Sequence, residues 1–182
     1  MRKPRDWRVA PIDTLDLRPV PGLVRSRARR EDTSRQQFTA RDVIARWNVV
    51  EVCSRATARA AAAFPETLQH RLPFPVRTLQ VDGGSEFAAA LEQTCRQQGL
   101  HLFALPPRSP KLHGAVERAH YTHREEFYEV TPCSLQIAHL NQELRNWERI
   151  YNIVRPHQAL GYRTPQGFLA QWQSQPNQPR CH

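Results

Sequence analysis

The sequence lacks paired cysteines, a long apolar run and a leader peptide. Its four cysteines, at positions 53, 95, 133 and 181, form no Cys-x-x-Cys pair, which excludes a zinc ribbon or a dithiol redox motif. No stretch approaches the roughly 20 apolar residues of a membrane span, and residues 1–6 lead into no signal-peptide core. These absences predict a cytoplasmic protein with reduced thiols and no membrane partner.

Acidic residues are in deficit. Lysine and arginine total 26 against 17 aspartates and glutamates, which gives a formal net charge of +9 and a pI near 10.2. Such a surface favours a polyanionic partner such as nucleic acid, although a basic surface can also serve solubility alone. Arginine dominates the basic residues, and its planar guanidinium binds phosphate oxygens bidentately.

Apolar periodicity predicts strands alternating with helices, followed by a helical second half. Strands are predicted at residues 7–17, 37–43, 47–53, 76–81 and 100–105, and helices at 55–72, from Ser85 onward, at 115–130, around 140–151 and from Thr164 onward. Pro65 removes an amide donor and should kink its helix or end it early. An antiparallel start followed by strand–helix alternation indicates one α/β domain with a mixed sheet flanked by helices.

Three acids lie on predicted strands or helices. Asp82 ends an apolar strand, and Gly83 and Gly84 after it let the backbone pass close to a metal or a phosphate. Asp13 lies in the first strand, and Glu117 lies in the first turn or so of a predicted helix. Three such carboxylates can hold two divalent cations, because hard cations prefer oxygen ligands.

Two further acids compete with these. Asp16 lies three residues after Asp13, so the two face opposite sides of a strand and only one can face the rest of the site. Spacing alone does not choose between them. Asp42, in the second strand, is better explained as a structural acid that pairs with Arg46 or Arg55.

Basic and aromatic residues cluster around Glu117 in the sequence. Tyr121 and Arg124 follow it at helical spacings of four and seven, so the three residues share a face. Carboxylate, aromatic ring and guanidinium on one face suit a metal beside a nucleic-acid backbone. The proline-rich basic loop before this helix adds three candidates for DNA contact, namely Arg108, Lys111 and His113.

Histidines at positions 113, 120 and 123 raise the alternative of a zinc or di-iron site. Glu117 and His120 have the Glu-x-x-His spacing of di-iron bundles, but the second copy that such a site requires is absent. No His-Glu-x-x-His sequence occurs either. The sequence therefore does not favour a zinc site.

Seven sequence segments carry a resemblance to a known family. They are Ile12-Asp13-Thr14, Thr39-Ala40-Arg41-Asp42, Gln80-Val81-Asp82-Gly83-Gly84-Ser85-Glu86-Phe87, Pro106-Pro107-Arg108-Ser109-Pro110-Lys111, Val116-Glu117-Arg118-Ala119, Thr122-His123-Arg124-Glu125-Glu126-Phe127-Tyr128, and Tyr151-Asn152 with Arg155-Pro156-His157-Gln158-Ala159-Leu160. Each is weak alone, but their number, order and spacing are specific. From about Val9 to Leu169 the chain resembles the catalytic core of DDE transposases from bacterial insertion sequences, within the retroviral integrase superfamily.

The resemblance implies a ribonuclease H-like fold, with a mixed five-stranded sheet flanked by helices and a C-terminal helical extension. It divides the chain into a tail (1–8), a catalytic core (9–130), the C-terminal helical part of that core (131–172) and a flexible tail (173–182). It selects Asp13 over Asp16, so that Asp13, Asp82 and Glu117 would bind two Mg²⁺ or Mn²⁺ ions. The implied activity is metal-dependent DNA cleavage and strand transfer during transposition. A homo-oligomer would act on element ends and target DNA in the bacterial cytoplasm, at the nucleoid.

The sequence departs from the family in two places. His113 replaces the usual asparagine of a Lys-Leu-Asn-Gly segment, which would alter DNA contact or the orientation of Glu117. The chain also begins almost at the first catalytic strand, without the helix-turn-helix region that reads element ends, so inactivity of the chain alone is one expectation. Two alternatives stay open: a truncated remnant that binds nucleic acid without catalysis, and a ribonuclease H-like nuclease.

Overall fold

The structure of the protein is a computed structural model. It describes residues 9–16, 35–82, 88–105, 110–134 and 136–174, with the backbone alone at positions 9–16, 82, 88, 105 and 110–115. The elements in these ranges are β1 (Val9–Asp16), β2 (Gln36–Arg41), β3 (Asn48–Cys53), α1 (Ala58–Arg71), β4 (Thr78–Asp82), α2 (Ala88–Gln97), β5 (His101–Leu105), α3 (Pro110–His123), a π-helical turn (Arg124–Tyr128), α4 (Ile137–Ile153), a 3-10 turn (Gln158–Leu160) and α5 (Pro165–Ser174). None of the described helices is long and apolar enough to span a bilayer.

The five strands form one mixed sheet in the order β3-β2-β1-β4-β5. β1 pairs antiparallel with β2, as β2 does with β3. β4 runs parallel to both β1 and β5. The predicted mixed five-stranded sheet is therefore confirmed, with β1 and β4 side by side at its centre.

Helices cover both faces of the sheet. Successive side chains of a strand point to opposite faces, and in β2 both sets are buried. In β2, Phe38 and Ala40 belong to one core, together with Phe64 and Leu68 of α1. The residues between them, Gln37, Thr39 and Arg41, are also buried but lie on the opposite face. On that face α3 packs against β1 and β2, and α4 packs against β3.

Side chains of α4 occupy the hydrogen-bonding edge of β3, which is an outer strand of the sheet. The contacts join Asn141 to Val52, Glu148 to Val50 and Asn152 to Asn48. Each of the three backbone N–H groups donates to an α4 side-chain oxygen at 2.8–2.9 Å. Two of the carbonyls accept from the same asparagines, and that of Val50 accepts from Arg71. An edge satisfied in this way cannot recruit another strand.

Glu148 makes this contact pH-dependent. Burial raises the pKa of its carboxyl to about 7, although Arg71 opposes the shift. The pKa of Glu148 in the folded state therefore lies above its unfolded value of 4.5. The contribution of Glu148 to stability is full below pH 4.5, and it is lost as the pH rises to 7. Glutamine stays neutral at every pH. We therefore expect the free energy of unfolding of Glu148→Gln, relative to that of the wild type, to rise by about 2 kcal/mol from pH 5 to pH 8. Urea unfolding at each pH measures it. Glu92→Gln, on the exposed face of α2, is the matched control, and a Glu148→Gln profile parallel to that of the wild type would contradict the assignment.

The structure corrects two predicted features. The helix predicted at 55–72 is present as α1, and the buried Pro65 inside it does not end it early. β2 ends at Arg41 instead of Val43, because a hydrogen-bonded turn begins at Asp42. The predicted cap at Ser85 lies outside the described residues, whereas the predicted Thr164 cap of α5 is confirmed by the bond from the Gly167 amide to its hydroxyl, at 3.0 Å.

Candidate active site

The two central strands bring positions 13 and 82 together at the level of the backbone. β1 and β4 are parallel, in a register that ends with Ile12 opposite Val81. Asp13 and Asp82 are therefore next in line on the two strands. Neighbouring strands lie about 4.8 Å apart, so the two positions are adjacent.

The pairing of β1 with β2 separates Asp13 from Asp16. Asp13 lies opposite Thr39, and Asp16 lies opposite Gln36. Paired residues of neighbouring antiparallel strands share a face of the sheet. Thr39 is on the face that α3 covers, where its hydroxyl accepts a hydrogen bond from Gln37 at 2.7 Å. Position 13 therefore belongs to the α3 face and position 16 to the other, while the role of Asp13 as a ligand stays a prediction.

Glu117 is exposed on α3, the helix that packs against β1 and β2. Counting from Pro110, it is the eighth residue of the helix, which places it in the third turn. The prediction that the helix begins at Ala115, with Glu117 near its start, was wrong, because proline suits the first helical position and Pro110 occupies it. The helix dipole acts within the first turn, so it gives Glu117 no stabilisation.

The predicted loop before Glu117 is partly helical. Lys111 and His113 belong to α3 rather than to a loop. Arg108, Gly83 and Gly84 lie outside the described residues. The assignments of all five stay predictions.

Two further predicted DNA contacts are solvent-exposed near Glu117. The Tyr121 side chain is 49% exposed, and the Arg118 guanidinium lies 5.4 Å from the centre of its ring. A hydrogen bond to Glu125 raises the pKa of the Tyr121 hydroxyl. Arg124 is also exposed and begins the π-helical turn. A ring and two guanidiniums are thus available to solvent on the helix that carries Glu117.

His123 is a structural residue. Its ring is fully buried between two amides, with Nδ1 at 2.8 Å from Gln37 Nε2 and Nε2 at 2.7 Å from the Asn48 amide nitrogen. The Gln37 amide is itself fixed, because Tyr128 donates to its oxygen at 2.6 Å and its nitrogen donates to Thr39. Nδ1 therefore accepts from Gln37, and the neutral ring carries its proton on Nε2, on the side of the Asn48 amide group. With its ring buried between Gln37 and Asn48, His123 attaches α3 to β2 and β3.

His123 and its neighbour His120 are both neutral at pH 7. Burial, followed by the charge of Arg124, lowers the pKa of His120 to about 4. Burial lowers the pKa of His123 well below its usual value, and His120 and Arg41 act in the same direction. Neither histidine therefore contributes a positive charge to a nucleic-acid surface at neutral pH.

Asp42 is explained by the turn between β2 and β3. Its Oδ2 accepts from the Ala45 amide at 2.5 Å, and its backbone carbonyl accepts from the Arg46 amide at 3.0 Å. The turn closes with the Asp42 amide bonded to the Trp47 carbonyl at 2.9 Å. Asp42 therefore has the structural role that the sequence favoured, through backbone groups of the turn.

Sequence reasoning missed a polar cluster that joins the end of β2 to the end of α4. Arg41 donates to the Tyr151 hydroxyl, and the guanidiniums of Arg41 and Arg155 lie 5.5 and 5.4 Å from the centre of the Tyr151 ring. Glu126 binds Arg155 through both carboxylate oxygens. His157 stacks edge-on to Tyr151 at 4.6 Å. The Arg155-Pro156-His157 segment was a sequence signal, but nothing local indicated its partners.

The donor chemistry suits a hard divalent ion, since the candidate ligands are three carboxylates from β1, β4 and α3. Among the side chains that the structure describes, no group of three or more His, Cys, Asp or Glu forms a metal site. The side chains of Asp13 and Asp82 are not among the described ones. The adjacency of positions 13 and 82, beside the helix of Glu117, is therefore the structural observation that bears on a metal.

Comparison with known proteins identifies the fold. Residues 98–165 match the sequence profile of a family described as "Integrase core domain". The solved catalytic core domain of BIV integrase superposes with a TM-score of 0.66 at 20% sequence identity, over 91% of this chain and 96% of that one. No curated protein gives a significant match. The predicted ribonuclease H-like fold is thus confirmed.

Proposed function

We propose that this chain, which has the fold of an integrase catalytic core and matches an integrase core profile over residues 98–165, is the core of a DDE-type transposase of the retroviral integrase superfamily. Such a core cleaves DNA and transfers the cut strand to a target. The observation that carries the proposal is the register of β1 and β4, which aligns Asp13 with Asp82 beside the helix of Glu117. Its partners would be element ends and target DNA, bound by a homo-oligomer.

The acids are mounted on elements that cannot easily move. β1 is the central strand of the sheet and β4 is an interior strand beside it, and His123 attaches α3 to β2 and β3. A site fixed in this way holds its groups in place before substrate binds. Bound there, two Mg²⁺ or Mn²⁺ ions would supply Lewis acidity and charge neutralisation for phosphoryl transfer.

The remaining side chains of the site are assigned to DNA. Tyr121 offers a ring face for stacking on a base, and Arg124 offers a guanidinium for a backbone phosphate. Lys111, His113 and Arg108 are proposed to contact the DNA backbone on the N-terminal side of Glu117. These contacts carry little sequence information, so element ends would be recognised by another part of the assembly.

Nicking of supercoiled plasmid and joining of a labelled oligonucleotide are expected to require Mg²⁺ or Mn²⁺ and to stop in excess chelator. Asp13→Asn and Asp82→Asn should each lose more than about 100-fold in rate, because even changes behind the metal ligands cost 10–100-fold. Asp16→Asn is the matched control, since its register position is on the opposite face of the sheet.

Each alternative gives a different result in the same assays. Nicking without joining would indicate a nuclease. DNA binding with neither reaction in the wild type would indicate a non-catalytic remnant. Loss of activity in Asp16→Asn but not in Asp13→Asn would show that the first ligand is assigned wrongly.

A further inference from the structure

A buried arginine ends β2, and none of the described carboxylates pairs with it. Arg41 is 5% exposed, on the sheet face that α3 and α4 cover. Its Nη2 donates to the Tyr151 hydroxyl, whereas Nε and Nη1 are buried without a hydrogen-bond partner in the described part of the chain. Burial of an unpaired charge is costly. The fold therefore retains a cation with two donor nitrogens that have no partner among the described side chains.

Among the described residues, three other arginines act on the charge of Arg41. Besides the larger effect of burial, its pKa is lowered by three further arginines: Arg46, Arg155 and Arg118. Glu126 neutralises Arg155 by binding its guanidinium with both oxygens. Within the ranges that the structure describes, no carboxylate neutralises Arg41 in this way. Among the charge effects on its pKa, only that of the Tyr151 phenol opposes the lowering by the three arginines. Among the described side chains, the one carboxylate of this cluster is thus paired with Arg155 and not with Arg41.

Arg46 is held near Arg41 by an unfavourable backbone. Its φ is +59°, a left-handed conformation that glycine or asparagine adopts more readily. The turn that fixes it is closed at Asp42, whose amide donates to the Trp47 carbonyl and whose carbonyl and carboxylate accept from the amides of Arg46 and Ala45. The turn therefore fixes the backbone of Arg46 five residues after Arg41.

We propose that Arg41, Arg46 and Arg118 bind one phosphodiester of DNA at a site separate from the acidic residues. This rests on the proposed function, because the anion is taken to be part of the DNA substrate. The fork of Arg41 matches two phosphate oxygens, and the more exposed Arg46 and Arg118 form a rim that moves aside to admit them.

The location of this site relates it to the strand that reacts. Arg41 lies two residues along β2 from Thr39, the register partner of Asp13, and on the same face. Two residues of an antiparallel strand span about 7 Å. The bound phosphate would therefore flank the reacting phosphate, and the site would hold the strand in position.

The salt dependence of DNA binding tests the rim. We expect the double variant Arg46→Gln/Arg118→Gln to bind a labelled duplex several-fold more weakly, with a slope of log affinity against log salt that is shallower by about 0.9, the value for one phosphate contact. Arg59→Gln/Arg96→Gln is the matched control, because it removes the same charge from exposed positions on α1 and α2. Its slope should equal that of the wild type.

The variant Arg41→Met tests whether Arg41 serves DNA binding or the stability of the fold. Because the substitution removes an unpaired buried charge, the variant should melt at the same temperature as the wild type or higher, yet its salt slope should fall as in the rim variant. A lower melting temperature with an unchanged slope would mean that Arg41 is purely structural and would overturn the proposal.

The remaining outcomes separate this site from the proposed function. If the wild type binds DNA and the rim variant has the slope of the control, only this site is overturned. A second outcome is that inorganic phosphate raises the melting temperature of the wild type above its value in chloride of equal ionic strength. If the rim variant then has an unchanged salt slope of DNA binding, the site binds free phosphate instead of DNA. If the wild type binds no DNA at any salt concentration, the proposed function fails, and this site fails with it.

Discussion

Glu117→Gln is expected to lower the rates of strand cleavage and joining by more than about 100-fold while the protein stays folded. Glutamine keeps the size of the side chain and one oxygen, but it removes the charge that a divalent ion requires. Glu117 is exposed and has no hydrogen bond or ion pair with the described residues. The free energy of unfolding should therefore change by no more than about 0.5 kcal/mol.

Glu129→Gln is the matched control for this experiment. Glu129 is also exposed and follows the π-helical turn, twelve positions after Glu117, so it tests the loss of one acidic charge outside the proposed site. Plasmid nicking in Mn²⁺ measures activity, and urea unfolding measures stability. Full activity in a folded Glu117→Gln protein would remove this residue from the site and leave the DDE assignment without its third ligand.

His123→Phe is expected to destabilise the fold by about 2–5 kcal/mol. Phenylalanine can fill the space of the ring, which packs edge-on against Trp147 at 5.0 Å. It leaves the amides of Gln37 and Asn48 without their buried partner, and each unsatisfied buried group costs about 1–3 kcal/mol. The loss should appear as a lower urea midpoint with an unchanged dependence on denaturant.

The same variant should change how stability depends on pH. Since the folded pKa of His123 lies below the unfolded value of 6.5, its contribution to wild-type stability is lost as the pH falls below 6.5. The free energy of unfolding of His123→Phe should therefore fall less steeply than that of the wild type as the pH drops below 6.5. His139→Phe is the control, because its side chain is 58% exposed on α4. If His123→Phe were as stable as His139→Phe, the ring would not be what attaches α3 to the sheet.

Local patterns in the sequence determined the elements and the candidate acids. Alternation of apolar residues located the five strands, and four-residue spacing located the buried faces of α2 and α4, where Leu91, Cys95 and Leu144 are in the core. Asp82 and Glu117 were recognisable from the elements around them. Helix starts were less certain, as Pro110 shows, because a proline is compatible with both a loop and a first helical turn.

Tertiary structure alone decided which residues meet. Sequence spacing placed Asp13 and Asp16 on opposite faces, but only the pairing of β1 with β2 and β4 shows which position adjoins Asp82. His123 reads as an ordinary helical histidine until its partners on β2 and β3 are known. Arg41 contacts Tyr151 across 110 positions of sequence. Hydrophobic patterning fixes local elements because it depends on neighbouring residues, whereas buried hydrogen bonds depend on partners that only the folded chain brings together.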